Sequence, residues 1–123
     1  MTMLLGVSSR EVDGVMVVDL IGELSRRAPS IHSLKDLLEQ SHSSLVLNLS
    51  GISYVDSSGL GQLIAIWTSI GNLGGQLVLL RPSPRVFSQL QMTRLDTVFT
   101  IVENEEEAVR RILKVQSART PAS

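Results

Sequence analysis

The stretch from Leu45 to Gly61, LVLNLSGISYVDSSGLG, decides how this chain folds. Ser44 to Leu49 is almost entirely apolar, which is typical of a strand buried on both faces of a parallel sheet. Ser50 to Asp56 is predicted to be a loop. From Ser57 to about Leu73 the apolar residues follow a helical spacing. The stretch therefore predicts a strand, a loop and a helix, the repeating unit of α/β domains.

The predicted helix begins with residues that suit a helix N-terminus. Asp56 stands at the N-cap position, where its carboxylate accepts a backbone N–H of the first turn. Ser57 and Ser58 follow, and then Gly59 and Gly61, each of which costs about 1 kcal/mol against alanine inside a helix. Two explanations remain open at this stage: the glycines make room for packing within the chain, or another molecule approaches the backbone here.

Outward from this stretch, segments whose apolar residues have the spacing of a strand alternate with segments that have the spacing of a helix. Asp13-Gly14 is a hairpin turn signal within the segment from Glu11, and Gly22 is predicted to end the second strand. The remaining predicted strands are Leu4 to Val7, Val15 to Ile21, Gln76 to Leu80 and Thr97 to Val102. The remaining predicted helices are one from Pro29, with Ile31, Leu34, Leu37 and Leu38 on one face, and two more at Pro84 to Met92 and Glu103 to Val115.

This order predicts a single α/β domain with a mixed, mostly parallel sheet of four to five strands and about four helices. A length of 123 residues suits one domain and leaves no room for a second. We expect the domain to occupy residues 1–116 and residues 117–123 to form a flexible C-terminal tail. Met16, Val86, Phe87, Leu90 and Met92 are predicted to fill the core.

Composition excludes several classes of function. Eleven Lys and Arg against twelve Asp and Glu give a net charge of −1, without the basic surface that nucleic acid requires. The chain has no cysteine, and His32 and His42 are too few for a metal site, so we expect neither a metal nor a cofactor. No apolar run approaches the roughly 18 residues of a membrane span, and no secretory signal opens the chain. We therefore expect a cytoplasmic protein that does not bind a membrane.

The helix from Ser57 to Leu73 contains no charged residue, which is unusual for a helix that faces water. A helical wheel places Leu60, Leu63, Ile64, Trp67, Ile70 and Gly71 on one stripe, with Ile66 and Leu73 at its edge. The opposite face carries small and polar residues: Ser58, Gln62, Ala65, Ser69 and Asn72. The apolar sector is wider than one sheet contact needs, so either another helix or a protein partner covers its flank.

These residues resemble a known family. Asp56-Ser57-Ser58-Gly59-Leu60-Gly61, with Leu47 to Gly51 before it and Gly74 to Val78 after it, is similar to the STAS domain of anti-sigma factor antagonists. Gly22-Glu23-Leu24 resembles the end of that family's second strand. The resemblance covers about Leu4 to Leu113. It implies a STAS-like fold and a regulatory protein that is not an enzyme.

The resemblance also implies a switch based on phosphorylation. The serine directly after the aspartate is the family's phosphoacceptor, which points to Ser57, with Ser58 as the alternative. Asp56, Gly59 and Gly61 would support this site. In the family, the unphosphorylated antagonist binds an anti-sigma factor that is also a serine kinase and so releases a sigma factor, and a phosphatase resets the switch. The predicted partner-binding residues are Ser25, Arg26, Ser58, Gln62 and Ile66.

One position departs from the family pattern. The aspartate that commonly follows the Gly-x-Leu element is replaced by Ser25, and Arg26 and Arg27 come next. This loss of an acidic group is compatible with a different partner. The two arginines either belong to a solvated loop or lie near Ser57, where a guanidinium would bind a phosphate through two hydrogen bonds.

The same residues disfavour two classes of enzyme. A hydrolase is disfavoured because the residues before Ser57 lack the first glycine of a nucleophile elbow. A phosphate-loop NTPase is disfavoured because Gly71 to Gly75 has no following Lys-Ser or Lys-Thr. The alternative that stays open is a STAS scaffold that does not switch and binds another regulatory or transport protein permanently.

The segment Pro82 to Met92 is a candidate addition to the partner surface, because it follows the carboxyl end of a strand.

Overall fold

The computed structural model of the chain describes residues 5–26 and 44–119, with side chains up to Lys114. The predicted helix from Pro29, and with it Arg27, His32 and His42, lies outside the described residues. Five strands are present in the described part: β1 Gly6–Val12, β2 Val15–Leu24, β3 Leu45–Val55, β4 Leu77–Leu80 and β5 Thr100–Val102. It also contains α1 Ser57–Asn72, α2 Pro84–Met92, α3 Glu105–Arg119 and a short 3-10 turn, Leu95–Thr97.

The five strands form one sheet in the order β1-β2-β3-β4-β5. β1 and β2 are antiparallel, and the other neighbouring pairs are parallel. The prediction of a mixed, mostly parallel α/β sheet is therefore confirmed, with five strands. Three helices lie in the described residues, and the fourth predicted helix falls outside them.

The predicted hairpin is confirmed, but its first strand lies elsewhere. Asp13 (φ 52°) and Gly14 (φ 83°) form the two-residue turn, in the left-handed conformation that primed hairpin turns require. β1 covers Gly6–Val12, where Leu4 to Val7 had been predicted. The polar residues of β1 are held as a strand by backbone pairing with β2, from Gly6 opposite Ile21 to Val12 opposite Val15. Apolar patterning does not reveal a strand of this kind.

β2 and β3 both run further than predicted, and this correction fixes the position of the site. Gly22 (φ 117°) does not end β2, which continues to Leu24, and the predicted loop Ser50 to Asp56 is strand up to Val55. A side chain at Gly51 would place its Cβ 2.7 Å from the Leu20 carbonyl oxygen. Irregular pairing around these glycines lets both strands continue, so that Leu24 and Val55 pair at the end of the sheet.

The sheet separates two hydrophobic cores. α1 and α2 cover one face, where Leu63, Ile66 and Ile70 of α1 and Val86 and Leu90 of α2 are buried against the strands. α3 covers the other face with Ala108, Val109 and Ile112. Leu90 and Val86 thus fill the core as predicted. Met92 does not, because it follows the last core residue of α2 and is 81% exposed.

The C-terminal third also differs in detail from the prediction. Leu95–Thr97 forms the 3-10 turn, so β5 begins only at Thr100 and not at Thr97. α3 begins at Glu105, because the Asn104 side chain accepts the N–H of Glu107 at 3.2 Å and so closes the first turn. The helix continues to Arg119 and therefore includes three residues of the predicted tail.

A cluster of charged side chains connects the β1 edge to α3. Arg10 forms an ion pair with Asp19 at 2.7 Å and another with Glu105 at the start of α3. Asn48 donates to Asp19 at 2.7 Å. Hydrogen bonding to Arg10 lowers the pKa of Asp19 and of Glu105 below their ordinary values, and the two carboxylates raise the pKa of Arg10. These contacts join β1, β2, β3 and α3 on the face opposite α1.

Candidate partner-binding site

The site lies where β2 and β3 end together at the carboxyl edge of the sheet. The Asp56 N–H donates to the Leu24 carbonyl at 3.2 Å, which ties the end of β3 to the end of β2. α1 begins at the next residue, Ser57. Because β3 continues to Val55, it delivers Asp56 and the start of α1 directly to this edge, where ligand and partner sites of α/β sheets gather.

Asp56 is the N-cap of α1, as predicted. One carboxylate oxygen accepts the Gly59 N–H at 2.9 Å, and the other accepts the Arg26 N–H at 3.2 Å. The hydrogen bond from Gly59, followed by that from Arg26, lowers the pKa of the Asp56 carboxyl below its ordinary value. The carboxylate therefore caps the start of α1, and it also holds the chain that follows β2 close to this end of the helix.

Ser57 and Ser58 occupy the first turn of α1, and both are exposed. The first backbone N–H groups of a helix lack intrahelical partners and carry a partial positive charge. A negative group attached to either hydroxyl would lie beside this end of the helix, next to the carboxylate of Asp56. The geometry thus offers two accessible hydroxyls at a helix N-terminus.

The two glycines of the first turns serve different purposes. A Cβ on Gly59 would lie 1.8 Å from the carbonyl oxygen of Leu24, so only glycine lets the helix approach β2 this closely. A Cβ on Gly61 would meet no atom within 4 Å. Packing within the chain therefore explains Gly59. Gly61 instead leaves a bare, open stretch of backbone one turn from Ser57.

The rotation of α1 corrects the helical wheel. The buried residues are Gly59, Leu63, Ile66 and Ile70, whereas Ile64 is 40% and Trp67 is 42% exposed. Ile66, predicted to bind a partner, is only 4% exposed and contributes to the core, so that assignment is wrong. The close approach at Gly59 sets the rotation, and this turns Ile66 inward and Ile64 outward. Gln62 is half-buried beside the exposed face.

Beside Asp56 the surface forms an open depression of about 390 Å³, lined by Glu23, Ser25, Arg26, Tyr54 and Asp56. Ser25 had been predicted to contact a partner, but it is 2% exposed and its hydroxyl donates to Glu23 at 3.1 Å. Its side chain is therefore part of the wall and is not a contact surface. Arg26 is exposed and lies at this edge, next to the residue that precedes Ser57.

α2 adds residues to this edge that the sequence analysis missed. The Arg85 guanidinium lies 5.5 Å from the centre of the Tyr54 ring, a cation–π contact. Gln89 donates its side-chain N–H to the Val55 carbonyl at 2.6 Å, which anchors α2 to the end of β3. Glu23 and Tyr54 could have been found by extending β2 and β3 past their glycines. No local signal identifies Arg85, because its place depends on the packing of α2.

Two structural features are absent from the described residues. Within residues 5–26 and 44–119, no group of three or more His, Cys, Asp or Glu side chains converges on a point. No helix in the same part of the chain is long and apolar enough to cross a membrane.

Comparison with known proteins gives the family. The model of the STAS domain matches residues 7–108. The anti-sigma F factor antagonist of Paenibacillus polymyxa is 28% identical over 102 residues, which cover 80% of this chain and 87% of that protein. The family and the name of this relative agree with the prediction of a regulatory protein that is not an enzyme.

Two solved structures have the same fold. An anti-sigma factor antagonist from Mycobacterium paratuberculosis superposes with a TM-score of 0.77 at 24% identity, covering 88% of this chain and 93% of that one. The Bacillus cell fate determinant SpoIIAA, solved in its phosphorylated form, gives 0.64 at 25% identity, covering 87% of this chain and 99% of that one. With the family model matching residues 7–108 and these folds superposing over most of the chain, this protein belongs to the STAS domain family.

Proposed function

We propose that this chain is an anti-sigma factor antagonist whose unphosphorylated form binds an anti-sigma factor serine kinase and so releases a sigma factor. Phosphorylation of Ser57 switches the binding off, and a phosphatase restores it. The observation that carries the proposal is the exposed hydroxyl of Ser57 at the N-terminus of an uncharged helix. The relative named as an antagonist, and the SpoIIAA structure solved in a phosphorylated form, support it. The proposal places this activity in the cytoplasm.

The proposed docking surface is the outer face of α1 at the carboxyl edge. It comprises Ser57, Ser58, Gly61, Gln62 and Ile64, with Arg26 beside it. Ser57, Gly61 and Ile64 follow each other at helical spacing and are all exposed. Because Gly61 carries no side chain and has open space above it, a partner's backbone can lie close to the helix there. Ile64 supplies apolar area at the centre of such a contact.

A phosphate on Ser57 would act on binding rather than on folding. It adds a charge of about −1.5 to −2. The helix dipole returns about 0.3 to 1 kcal/mol, and the neighbouring Asp56 carboxylate opposes this gain, so the fold changes little. Burying an unpaired dianion in an interface costs several kcal/mol. A loss of about 4 kcal/mol weakens binding about a thousandfold, so the interface effect dominates.

The test combines a kinase assay with a binding assay. A pull-down with unmodified protein identifies the partner, and incubation of the pair with ATP is followed by intact mass. We expect one phosphate per chain, lost in Ser57→Ala and kept in the matched control Ser58→Ala. Ser57→Asp should bind the partner about a thousandfold more weakly than wild type, and Ser57→Ala should bind constitutively. Equal binding by these two Ser57 variants would contradict the switch.

The alternative is a scaffold that does not switch, with the same face of α1 as a permanent interface. Its signature is a retained partner together with no phosphate on Ser57 or Ser58 and no effect of Ser57→Asp on binding. The two proposals thus predict opposite results in one experiment, because the uncharged face of α1 is required by both and the phosphate by only one.

Arg26 is proposed to interact with the phosphate on Ser57. Its backbone N–H already binds Asp56, and its guanidinium contributes to lowering the pKa of that carboxyl. In the described part of the chain, Arg26 forms no ion pair. An arginine beside a phosphate forms charge-assisted hydrogen bonds and favours its dianionic form. Arg27, the second predicted candidate, lies outside the described residues.

This role of Arg26 can be measured without a kinase, on protein made with phosphoserine at position 57. We expect Arg26→Gln to raise the pKa of the phosphate in a phosphorus NMR titration and to change the rate at which a phosphatase removes it. The matched control is Arg110→Gln, an exposed arginine on α3. If Arg26→Gln and Arg110→Gln titrate alike, Arg26 does not interact with the phosphate.

A further inference from the structure

A second cavity, also open at the surface, lies at the other end of α1, away from Ser57. It has a volume of about 350 Å³ and is lined by Trp67, Gly71 and Asn72 of α1, by Gln76 and Leu77 at the start of β4, and by Thr100 at the start of β5, among others. Sixteen residues of helix separate the two ends, which corresponds to about 24 Å. The proposed switch uses none of these residues.

Trp67 forms one wall of this cavity. Its ring packs edge-on against Phe99, with ring centres 6.4 Å apart and planes at 86°. Phe99 is buried, so this contact restrains the indole on one side. Yet 42% of Trp67 remains exposed, which leaves part of a restrained, flat aromatic surface accessible. An aromatic surface held in this way is suited to stacking with a planar ring.

Gln76, which lines the cavity, has a side-chain amide oxygen that lacks a hydrogen bond. The backbone of Gln76 is satisfied: its N–H donates to the Ser44 hydroxyl and its carbonyl accepts the Leu45 N–H. Its side-chain Oε1 is buried and has no hydrogen-bond partner. Buried polar atoms are normally paired, so an unpaired acceptor on a residue that lines a cavity indicates a missing donor. The terminal torsion of glutamine is soft, and a small rotation presents this oxygen to the cavity.

Among the described residues that line the cavity, none is charged. A charged ligand would therefore lose its hydration without gaining a counter-charge, whereas a neutral one would not. The volume falls at the small end of the range of about 300 to 1,000 Å³ that is usual for ligand pockets. Together these features select a small, uncharged, planar molecule that carries a hydrogen-bond donor.

We propose that this cavity binds one such molecule, with its ring against Trp67 and its amide or amino group donating to Gln76. The class comprises neutral aromatic or heteroaromatic amides and amines. Gly71 also lines the cavity, and a Cβ there would stand in open space with no atom within 4 Å. The site is independent of the proposed switch, since its formation requires neither a kinase nor a modified Ser57.

The test uses benzamide as the probe and benzoate as its charged counterpart. Trp67 is the only tryptophan of the chain, so its fluorescence reports on the cavity directly. A ligand with so few atoms is expected to bind with a Kd on the order of 1 mM. Benzamide should shift or quench the Trp67 emission with saturation, and should move the backbone amide NMR signals of Gly71, Gly75 and Gln76. Benzoate should bind at least tenfold more weakly.

Two variants decide whether the cavity is responsible. Gly71→Leu adds a side chain at a lining residue whose Cβ meets no other atom, and should weaken benzamide binding at least tenfold. Thr100→Leu enlarges another lining side chain and should have the same effect. The matched control is Ala65→Leu, which places the same side chain at an exposed position of the same helix but outside the cavity, and should bind benzamide like wild type. Absence of saturation up to about 10 mM benzamide, equal binding of benzoate, or full binding by both cavity variants would overturn the proposal.

Discussion

The inner and outer sides of α1 are formed by the same turns of the helix, but their surroundings differ. On the inner side, Gly59 touches the Leu24 carbonyl and Ile66 lies in the core. On the outer side, Ser57, Gly61 and Ile64 are exposed, and no charge separates them. The comparison shows that one helix carries the residues that hold the fold and those proposed for partner binding, separated by their rotation about its axis. Neighbouring residues of similar type should therefore respond very differently to the same substitution.

The largest contrast is expected between the two glycines. Gly59→Ala forces a Cβ against a backbone carbonyl that cannot move easily, so we expect a loss of about 3 kcal/mol or more, at the upper end for overpacking. The measurement is urea unfolding followed by circular dichroism. A loss below about 1 kcal/mol would mean that α1 can shift away from β2 at little cost, and the rotation of the helix would then have another origin.

The two isoleucines separate stability from binding. Ile66→Val removes a buried methylene and should cost about 1 kcal/mol, whereas Ile64→Val removes an exposed one and should cost almost nothing. In a titration with the partner from the pull-down, the order should reverse, with Ile64→Ala weakening binding and Ile66→Val leaving it unchanged. Weaker binding by the folded Ile66→Val protein would move the docking surface to the inner side.

Asp56 caps α1, and its contribution to the stability of the fold should depend on pH. Hydrogen bonds from Gly59 and Arg26 lower its pKa in the folded state. The capped carboxylate therefore stabilises the fold at pH values above its ordinary pKa of about 3.9, and this contribution is lost as the pH falls through the lower folded value.

Asp56→Ala should accordingly lower the urea midpoint at pH 7, and the gap to wild type should narrow in acid. Comparing wild type and variant at both pH values cancels the effect of the other carboxylates, including Asp19 and Glu105, which titrate in both proteins. A gap that stays constant down to pH values below about 3 would show that the charge of Asp56 does not contribute.

The smallest expected effect has the opposite sign. Gly61→Ala replaces a poor helix former in open space, so the free energy of unfolding should rise by about 0.5 to 1 kcal/mol. The same methyl group would stand on the proposed docking surface and should weaken partner binding. A gain in stability with unchanged binding would remove Gly61 from that surface and leave Ser57 and Ser58 as its centre.

Local signals in the sequence predicted part of the site well. The Asp56 cap, the start of α1 at Ser57 and the span of α2 depend on neighbours within a few residues, and all three agree with the structure. The second half of β3 was missed because its serines and glycine read as a loop. That stretch is a strand only through its pairing with β2, which is far away in sequence.

By itself, the sequence determined that this protein is an α/β domain in which two serines follow an aspartate N-cap. Apolar spacing and helix capping depend only on residues that are close in sequence. The tertiary structure decided which residues of α1 face outward. The helical wheel makes almost half of the helix surface apolar and does not show which part of it is buried. The contact of Gly59 with Leu24 determines that Ile66 is buried and Ile64 is exposed. Packing at a single point fixes the rotation of a rigid helix, and such a contact between distant segments leaves no periodic signal in the chain.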